Sequence, residues 1–211
     1  MSSTEADLST RARIRNAALV EFAQTGLAKT TIRAIAARAE VSPALVIHHF
    51  GSKQGLRAAC DEHTLSWLRV EKTAAFSGMQ LPTRAAYLEA HPEFAVLYAY
   101  LRRAAFEEGD VGDEFFDHFV ADVAEYLAVG EEAGTVRPYA DPHARAVISA
   151  AIGLGLMAFD PQIARHLGGS SVLDPVVLER YTAYTLDLYT YGMLTAPVGF
   201  APDGADQEEE S

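Results

Sequence analysis

Apolar side chains recur along this chain at the three- and four-residue spacing of amphipathic helices, and polar breakers separate one run from the next. Ile14, Ala17, Ala18 and Phe22 mark a first helix, capped at Ser9 and stopped by Gly26. Thr30 or Thr31 caps a second, carrying Ile32, Ile35 and Ala36. Ser42-Pro43 opens a third, with serine as N-cap and proline where its missing N–H costs nothing. Val46 and Phe50, four apart, form its buried side, and Ser52 caps a fourth helix predicted to reach about Phe76. Beyond Gly78 and Pro82 the pattern predicts helices over Pro82 to Ala90, Pro92 to Glu108, Asp113 to Ala133, Asp141 to about Arg165, and Asp174 to Leu194. No alternation of period two lasts long enough to predict a sheet. The expected fold is all-α: a three-helix helix-turn-helix domain (1–56), a helical ligand-binding and dimerisation domain (57–196), and an acidic tail (197–211) expected to be disordered.

Composition narrows the function. The chain has 211 residues, 49% of them hydrophobic, which supports a substantial core. No apolar run is long enough to span a bilayer, and the polar N-terminus lacks the regions of a signal peptide. With its single cysteine, Cys60, the sequence fits a reduced cytoplasm, with no membrane partner. A net charge of −12 argues at first against nucleic acid, but the distribution of that charge argues for it. Residues 1–60 hold eight basic and four acidic side chains, a net +4, and the remainder carries −16. A phosphate backbone attracts the first part and repels the second, so the molecule would be oriented on a duplex.

The run from Thr30 to Leu56 carries the chemistry. Two short helices joined by a tight turn around Ala39 to Ser42 leave the start of the third helix projecting, as a helix entering a major groove must. Opposite Val46 and Phe50 it displays Ala44, Ile47 and His48. His48 can exchange a hydrogen bond with a base edge, and Ala44 and Ile47 can pack on thymine methyl groups. Thr30, Thr31, Ser42, Pro43, His49 and Lys53 surround that face, and the threonines, Ser42, His49 and Lys53 are candidate phosphate contacts. Arg11 and Arg13 are further candidates for an adjacent phosphate or the minor groove.

This stretch resembles the DNA-binding domain of the TetR family of bacterial repressors, whose pattern runs roughly T-x(5)-A-x(2)-A-G-V-S-x-G-x-L-Y-x-H-F-x-S-K-x-x-L. Thr30, Ala36, Ala39, Val41, Ser42, His49, Phe50, Ser52, Lys53 and Leu56 match it. The resemblance implies an all-helical effector domain, dimerisation through the last two helices, and release of DNA when an effector binds. Three positions depart. Glu40 replaces the turn glycine, so the turn is either strained or altered. Ala44 replaces a second glycine, and Ile47 stands where the family has a phosphate-binding tyrosine, so that role is not carried over.

In the second domain, Phe94, Tyr98, Leu101, Phe115, His118, Phe119 and Met157 are candidates to line an apolar effector pocket, or else belong to the core. His118, flanked by Glu114 and Asp122, reads most simply as part of a surface ion pair. Ala146, Ala150, Gly153 and Met157 form one stripe of small or flexible residues, and Tyr181, Thr185, Leu188 and Gly192 line one side of the last helix. Two such helices from each of two subunits would make a four-helix homodimer interface.

No catalytic constellation, metal motif or phosphate loop emerges, so no cofactor or metal is expected and an enzyme is the weaker reading. Gly153-Leu154-Gly155 lacks the preceding strand and third glycine of a nucleotide loop. The leading expectation is a homodimeric repressor of double-stranded DNA released by an unidentified small molecule. The rival that keeps the fold is a ligand-sensing adaptor without DNA binding.

Overall fold

The computed structural model describes residues 3–79, 84–106 and 110–193. The described residues are helical with no strand. The helices are α1 (Ser3–Thr25), α2 (Ile32–Arg38), α3 (Pro43–Phe50), α4 (Lys53–Phe76), α5 (Arg84–Ala90), α6 (Phe94–Ala104), α7 (Asp110–Glu132), α8 (Pro142–Ala158), α9 (Asp160–Leu167) and α10 (Pro175–Tyr191). The acidic tail 197–211 lies outside the described residues.

Side-chain caps explain four of the helix starts. Thr31, Ser42, Ser52 and Asp141 each accept a hydrogen bond from the backbone N–H three residues on, at Ala34, Leu45, Gly55 and Ala144. Most ends shift by one to four residues, and two differences from the sequence-based expectation are larger. Helix α1 runs back past Ser9, because no glycine or proline interrupts Ser3 to Leu8. The helix expected from Asp141 to Arg165 ends at Ala158 and a new one starts at Asp160. Pro161 is the reason: its nitrogen cannot donate to the preceding turn, but it is tolerated in the first turn of α9.

The chain divides into two compact units, 1–160 and 161–211. The first does not separate at residue 56. Its core passes continuously from Ile14, Ala18 and Phe22 of α1 through Ile35 and Ala36 of α2, Val46 of α3, and Leu56 and Cys60 of α4. It then continues through Leu97, Tyr100 and Leu101 of α6, Phe115, Phe119 and Val123 of α7, and Ala146, Ala150 and Leu154 of α8. Helix α6 packs on α1, and α4 runs from the helix-turn-helix to pack along α7. Arg69 of α4 binds Asp122 and Glu125 of α7 at 3.0 and 3.4 Å. Phe76 of α4 stacks on Tyr126 of α7 with ring centroids 5.3 Å apart.

In the second unit the loop between α9 and α10 is closed by Asp174. Its carboxylate accepts from the backbone N–H groups of Ser170 (2.7 Å) and Ser171 (3.2 Å) and from the Ser170 hydroxyl (3.1 Å). These bonds hold the acid below the usual carboxylate range. Val172, Val177 and Ala164 are buried beneath the loop.

Candidate DNA-binding site

The turn between α2 and α3 is closed by paired backbone bonds: Val41 N–H donates to Ala36 O (2.9 Å) and Glu40 N–H to Ala37 O (3.2 Å). This is a Schellman closure, which requires a left-handed residue one place beyond the cap. Glu40 occupies it with φ of 53°, so the turn keeps its shape without a glycine. From there Ser42 and Pro43 start α3, and Val46 is fully buried against the rest of the bundle. Gly55 fixes how α4 leaves α3: a Cβ there would lie 2.2 Å from Phe50 O, so glycine alone fits.

This scaffold turns one side of α3 outward. Pro43, Ala44, Ile47 and His48 are exposed, Ile47 at 43%, which is high for an isoleucine on a helix otherwise anchored in the core. Ser42 is exposed beside them, its oxygen occupied by Leu45 N–H and its proton available. Thr31, capping α2, is also exposed, as is Arg33 in its first turn, a cation the sequence pattern did not single out.

Three expected phosphate contacts are placed otherwise. Thr30 is buried, and its hydroxyl lies within hydrogen-bond distance of Gly26 O (2.7 Å), Glu21 O (3.2 Å) and Thr25 Oγ1 (2.6 Å). It closes the α1–α2 loop. Lys53 Nζ donates to Leu27 O (2.9 Å) and Thr30 O (3.1 Å), so two of its three protons brace that same loop. The His49 side chain is only 5% exposed and turns toward α1, with Nε2 3.7 Å from Asp7. In this chain Thr30 and Lys53 brace the α1–α2 loop and His49 packs toward α1, and a sequence pattern cannot distinguish such bracing from contact with a ligand. Arg11 and Arg13 are both exposed, and Arg11 lies over the Phe50 ring at 5.1 Å.

Comparison with known proteins now bears on the whole chain. Residues 14–60 match the family model for bacterial regulatory proteins of the tetR family, and residues 92–195 match the tetracyclin repressor-like C-terminal domain. The HTH-type transcriptional regulatory protein RaaS of Mycobacterium tuberculosis is 43% identical over 150 residues, which are 71% of this chain and 70% of that protein. This chain belongs to the TetR family. It is a DNA-binding transcription regulator and not an enzyme. The fold agrees: FadR of Bacillus subtilis, solved with stearoyl-CoA, superposes with a TM-score of 0.60 at 11% identity, over 87% of this chain and 99% of its own. SmeT of Stenotrophomonas maltophilia, the repressor of an efflux pump, superposes with a TM-score of 0.54 at 22% identity, over 84% of this chain and 88% of its own.

The residues expected to serve this TetR-family regulator beyond its DNA contacts divide by burial. Leu101, Phe115 and Phe119 are core, Phe115 and Phe119 stacking at 6.5 Å. Phe94 and Tyr98 are half-buried and stack on each other at 6.1 Å, and Phe94 also meets Trp67 (5.4 Å) and Tyr87 (5.9 Å). Trp67 and Tyr87 were not expected there; a lone tryptophan facing an aromatic helix was the available signal. Met157 is half-buried against the core. His118 is exposed on α7, unlike Phe115 and Phe119 of the same helix.

The small-residue stripe needs correction too. Ala146 and Ala150 have no exposed surface within their own protomer, so they cannot present an outer face. Their smallness serves close packing of α8 on α7. Gly153 is half-buried, and the apolar side chains α8 leaves open are Ile148 and Ile152. On α10, Tyr181 and Thr185 are half-buried, Leu188 and Gly192 are exposed, and Tyr184, Leu186, Tyr189 and Tyr191 are exposed with them.

Proposed function

We propose that two copies of this chain bind a palindromic operator and repress transcription until a small apolar molecule releases them. The observation that carries the proposal is the outward face of α3. Ala44, Ile47 and His48 stand exposed on a helix whose opposite side is locked into the core, so the side chains that would meet DNA are presented rigidly. An isoleucine held in water at this site gains by packing on thymine methyl groups, and His48 supplies a polar contact. Thr31, Ser42 and the backbone around them are the proposed phosphate contacts, joined by Arg33. Two copies of α3 set roughly 34 Å apart would read half-sites one turn of duplex apart.

Dimerisation is proposed through the open faces of α8 and α10, where Ile148, Ile152, Tyr184 and Leu188 leave apolar surface in water. For the effector, the half-buried aromatic group Trp67, Tyr87, Phe94 and Tyr98 with Met157 is the proposed wall of the pocket. An apolar ligand suits it, and the stearoyl chain of the ligand solved with FadR supports that class. Such a ligand weakens operator binding only by preferring the conformation whose reading helices are wrongly spaced. The protein would act in the cytoplasm; among the described residues no single helix is long and apolar enough to cross a membrane.

An electrophoretic mobility shift with DNA from upstream of the protein's own gene tests the reading. The expected result is a retarded dimer complex that Ile47→Ala weakens for the preferred sequence more than for random DNA. Binding that is equal on all sequences, or absent, favours the adaptor without DNA binding.

A further inference from the structure

A cleft of about 250 Å³ opens between α1, α3 and α4. Arg11 and Arg15 of α1 line it, with Phe50 at the end of α3 and Glu62, His63 and Ser66 of α4. Helical spacing brings them together. Arg11 and Arg15 stand one turn apart, and Ser66 follows Glu62 and His63 by four and three positions on one face of α4. Arg11 is exposed, with its guanidinium carbon 5.1 Å from the centroid of the Phe50 ring. None of these six residues belongs to the aromatic group proposed as the effector wall.

The basic groups of this cleft are not matched by the protein. Among the described residues neither arginine nor His63 makes an ion pair, although Glu62 lines the same space. Arg15 is half-buried, and its Nε is buried with no hydrogen-bond partner among the described residues. Its Nη2 makes only a long bond of 3.3 Å to Asn16 Oδ1. The basic groups also act on one another. Burial lowers the Arg15 and His63 values, and the Arg11 charge lowers Arg15 further as the Arg15 charge does His63. Like charges one turn apart disfavour a helix, so the empty cleft holds Arg11 and Arg15 at a cost.

We propose that the cleft binds a small phosphorylated molecule bearing hydroxyl groups, of the polyol-phosphate class. Charge is the first argument. A phosphoryl group accepts from the planar forks of Arg11 and Arg15 and offsets their repulsion, and such charge-assisted bonds are the stronger sort. His63 supplies a further donor beside them. The second is the rest of the lining. Glu62 repels a second anionic group but accepts from a hydroxyl, and Ser66 can donate or accept, so a neutral hydroxylated part belongs at α4. Size is the third: the cleft lies just below the roughly 300–1,000 Å³ of drug-sized sites, which suits a phosphoryl group on a short carbon chain. The bound molecule ties α1 to α4 beside the end of α3, the helix with the exposed Ala44, Ile47 and His48. It is thus a second input, separate from the apolar effector, and it stands whether or not the chain binds an operator.

Glycerol 3-phosphate is the probe, with inorganic phosphate and glycerol as controls at constant ionic strength. Calorimetric titration of the full chain should show saturable binding of the probe, and the ring signals of His63 in proton–carbon spectra should shift along the same curve. Glycerol should not bind, and inorganic phosphate, which leaves Glu62 and Ser66 unused, should bind about tenfold more weakly. Arg11→Met and Arg15→Met should each weaken the probe by about tenfold or more. No saturation in the millimolar range overturns the proposal, as does saturation that leaves the His63 signals unmoved. Equal affinity for inorganic phosphate would mean an adventitious anion only and overturns it too. A short duplex of random sequence that displaces the probe would assign the cleft to backbone phosphate, against a free metabolite. If Arg15→Met fails to fold, the wild-type titrations and the exposed Arg11→Met variant still decide.

Discussion

Replacing Glu40 with glycine is expected to stabilise the protein, and the size of the gain can be worked from the turn. Glu40 holds φ of 53° because the paired bonds from Val41 and Glu40 itself to the end of α2 leave no other closure. A left-handed L-residue costs about 1–2 kcal/mol, which glycine avoids. Glycine in turn loses more backbone freedom on folding, about 0.5–1 kcal/mol. The net gain is about 0.5–1 kcal/mol, or a Tm rise of roughly 1–4 °C for a chain of this size. Glu40 is exposed and makes none of the described side-chain hydrogen bonds, so little else is lost. Chemical denaturation of wild type, Glu40→Gly, Glu40→Ala and Glu40→Val in parallel isolates the backbone effect. Alanine should be close to neutral, and valine, β-branched and poorly suited to this region, should destabilise by about 1 kcal/mol or more. If glycine destabilises, or valine is tolerated like alanine, the turn does not hold residue 40 in the left-handed region and the Schellman closure is wrong.

Other variants test the scaffold and its reading face. Lys53→Met removes two charge-assisted bonds to Leu27 and Thr30 carbonyls and should cost about 1.5–3 kcal/mol in denaturant unfolding; a loss only of DNA affinity would restore its expected role in phosphate binding. Thr30→Val keeps the shape but strips the buried hydroxyl, and should cost about 1–3 kcal/mol by the same measurement, with specificity among operators unchanged. Ile47→Ala should leave Tm unchanged within about 1 °C while narrowing the gap between preferred and random DNA, because surface changes rarely move stability. Asp174 is held below the ordinary carboxylate range by Ser170 and Ser171, so its folded value lies under its unfolded one. Its stabilisation is present above the unfolded value and is lost as pH falls through the folded one. Relative to their intrinsic rates, the Ser170 and Ser171 amides should exchange faster below about pH 4 in wild type, whereas in Asp174→Asn they should exchange faster already at neutral pH and show no such step.

The helices and their starts are legible in the sequence because capping is local. Ser42-Pro43 and Ser52 announce α3 and α4 from adjacent residues, and Val46 falls on the buried side the spacing assigns it. The split at Ala158 is hidden because apolar periodicity continues across it, and only Pro161 signals that the ladder must break. The exposure of Ala44, Ile47 and His48 is legible, because helical spacing turns them away from Val46. Thr30, His49 and Lys53 mislead because a motif records that a residue is needed, without separating the brace from the hand. Likewise Ala146 and Ala150 show that small residues signal close packing, which inside a protomer looks the same in sequence as between two. The Arg57–Asp61 pair is visible as a spacing of four, but Tyr100 reaches it from 39 positions away, and no local pattern carries that.

The division of labour along α3 bears on how such a regulator changes its target over generations. Gly55 is fixed by the carbonyl a Cβ would strike, Val46 by complete burial, and Lys53 by the loop carbonyls it bonds. Ala44, Ile47 and His48 touch little of the protein itself. Drift at those three exposed positions is nearly free of folding consequences, so, on the proposed function, a duplicated copy can explore new operators without first surviving a period of instability. Altered specificity should therefore be reachable by single steps at the outer face, and the same face is the place to graft a chosen sequence preference in the laboratory.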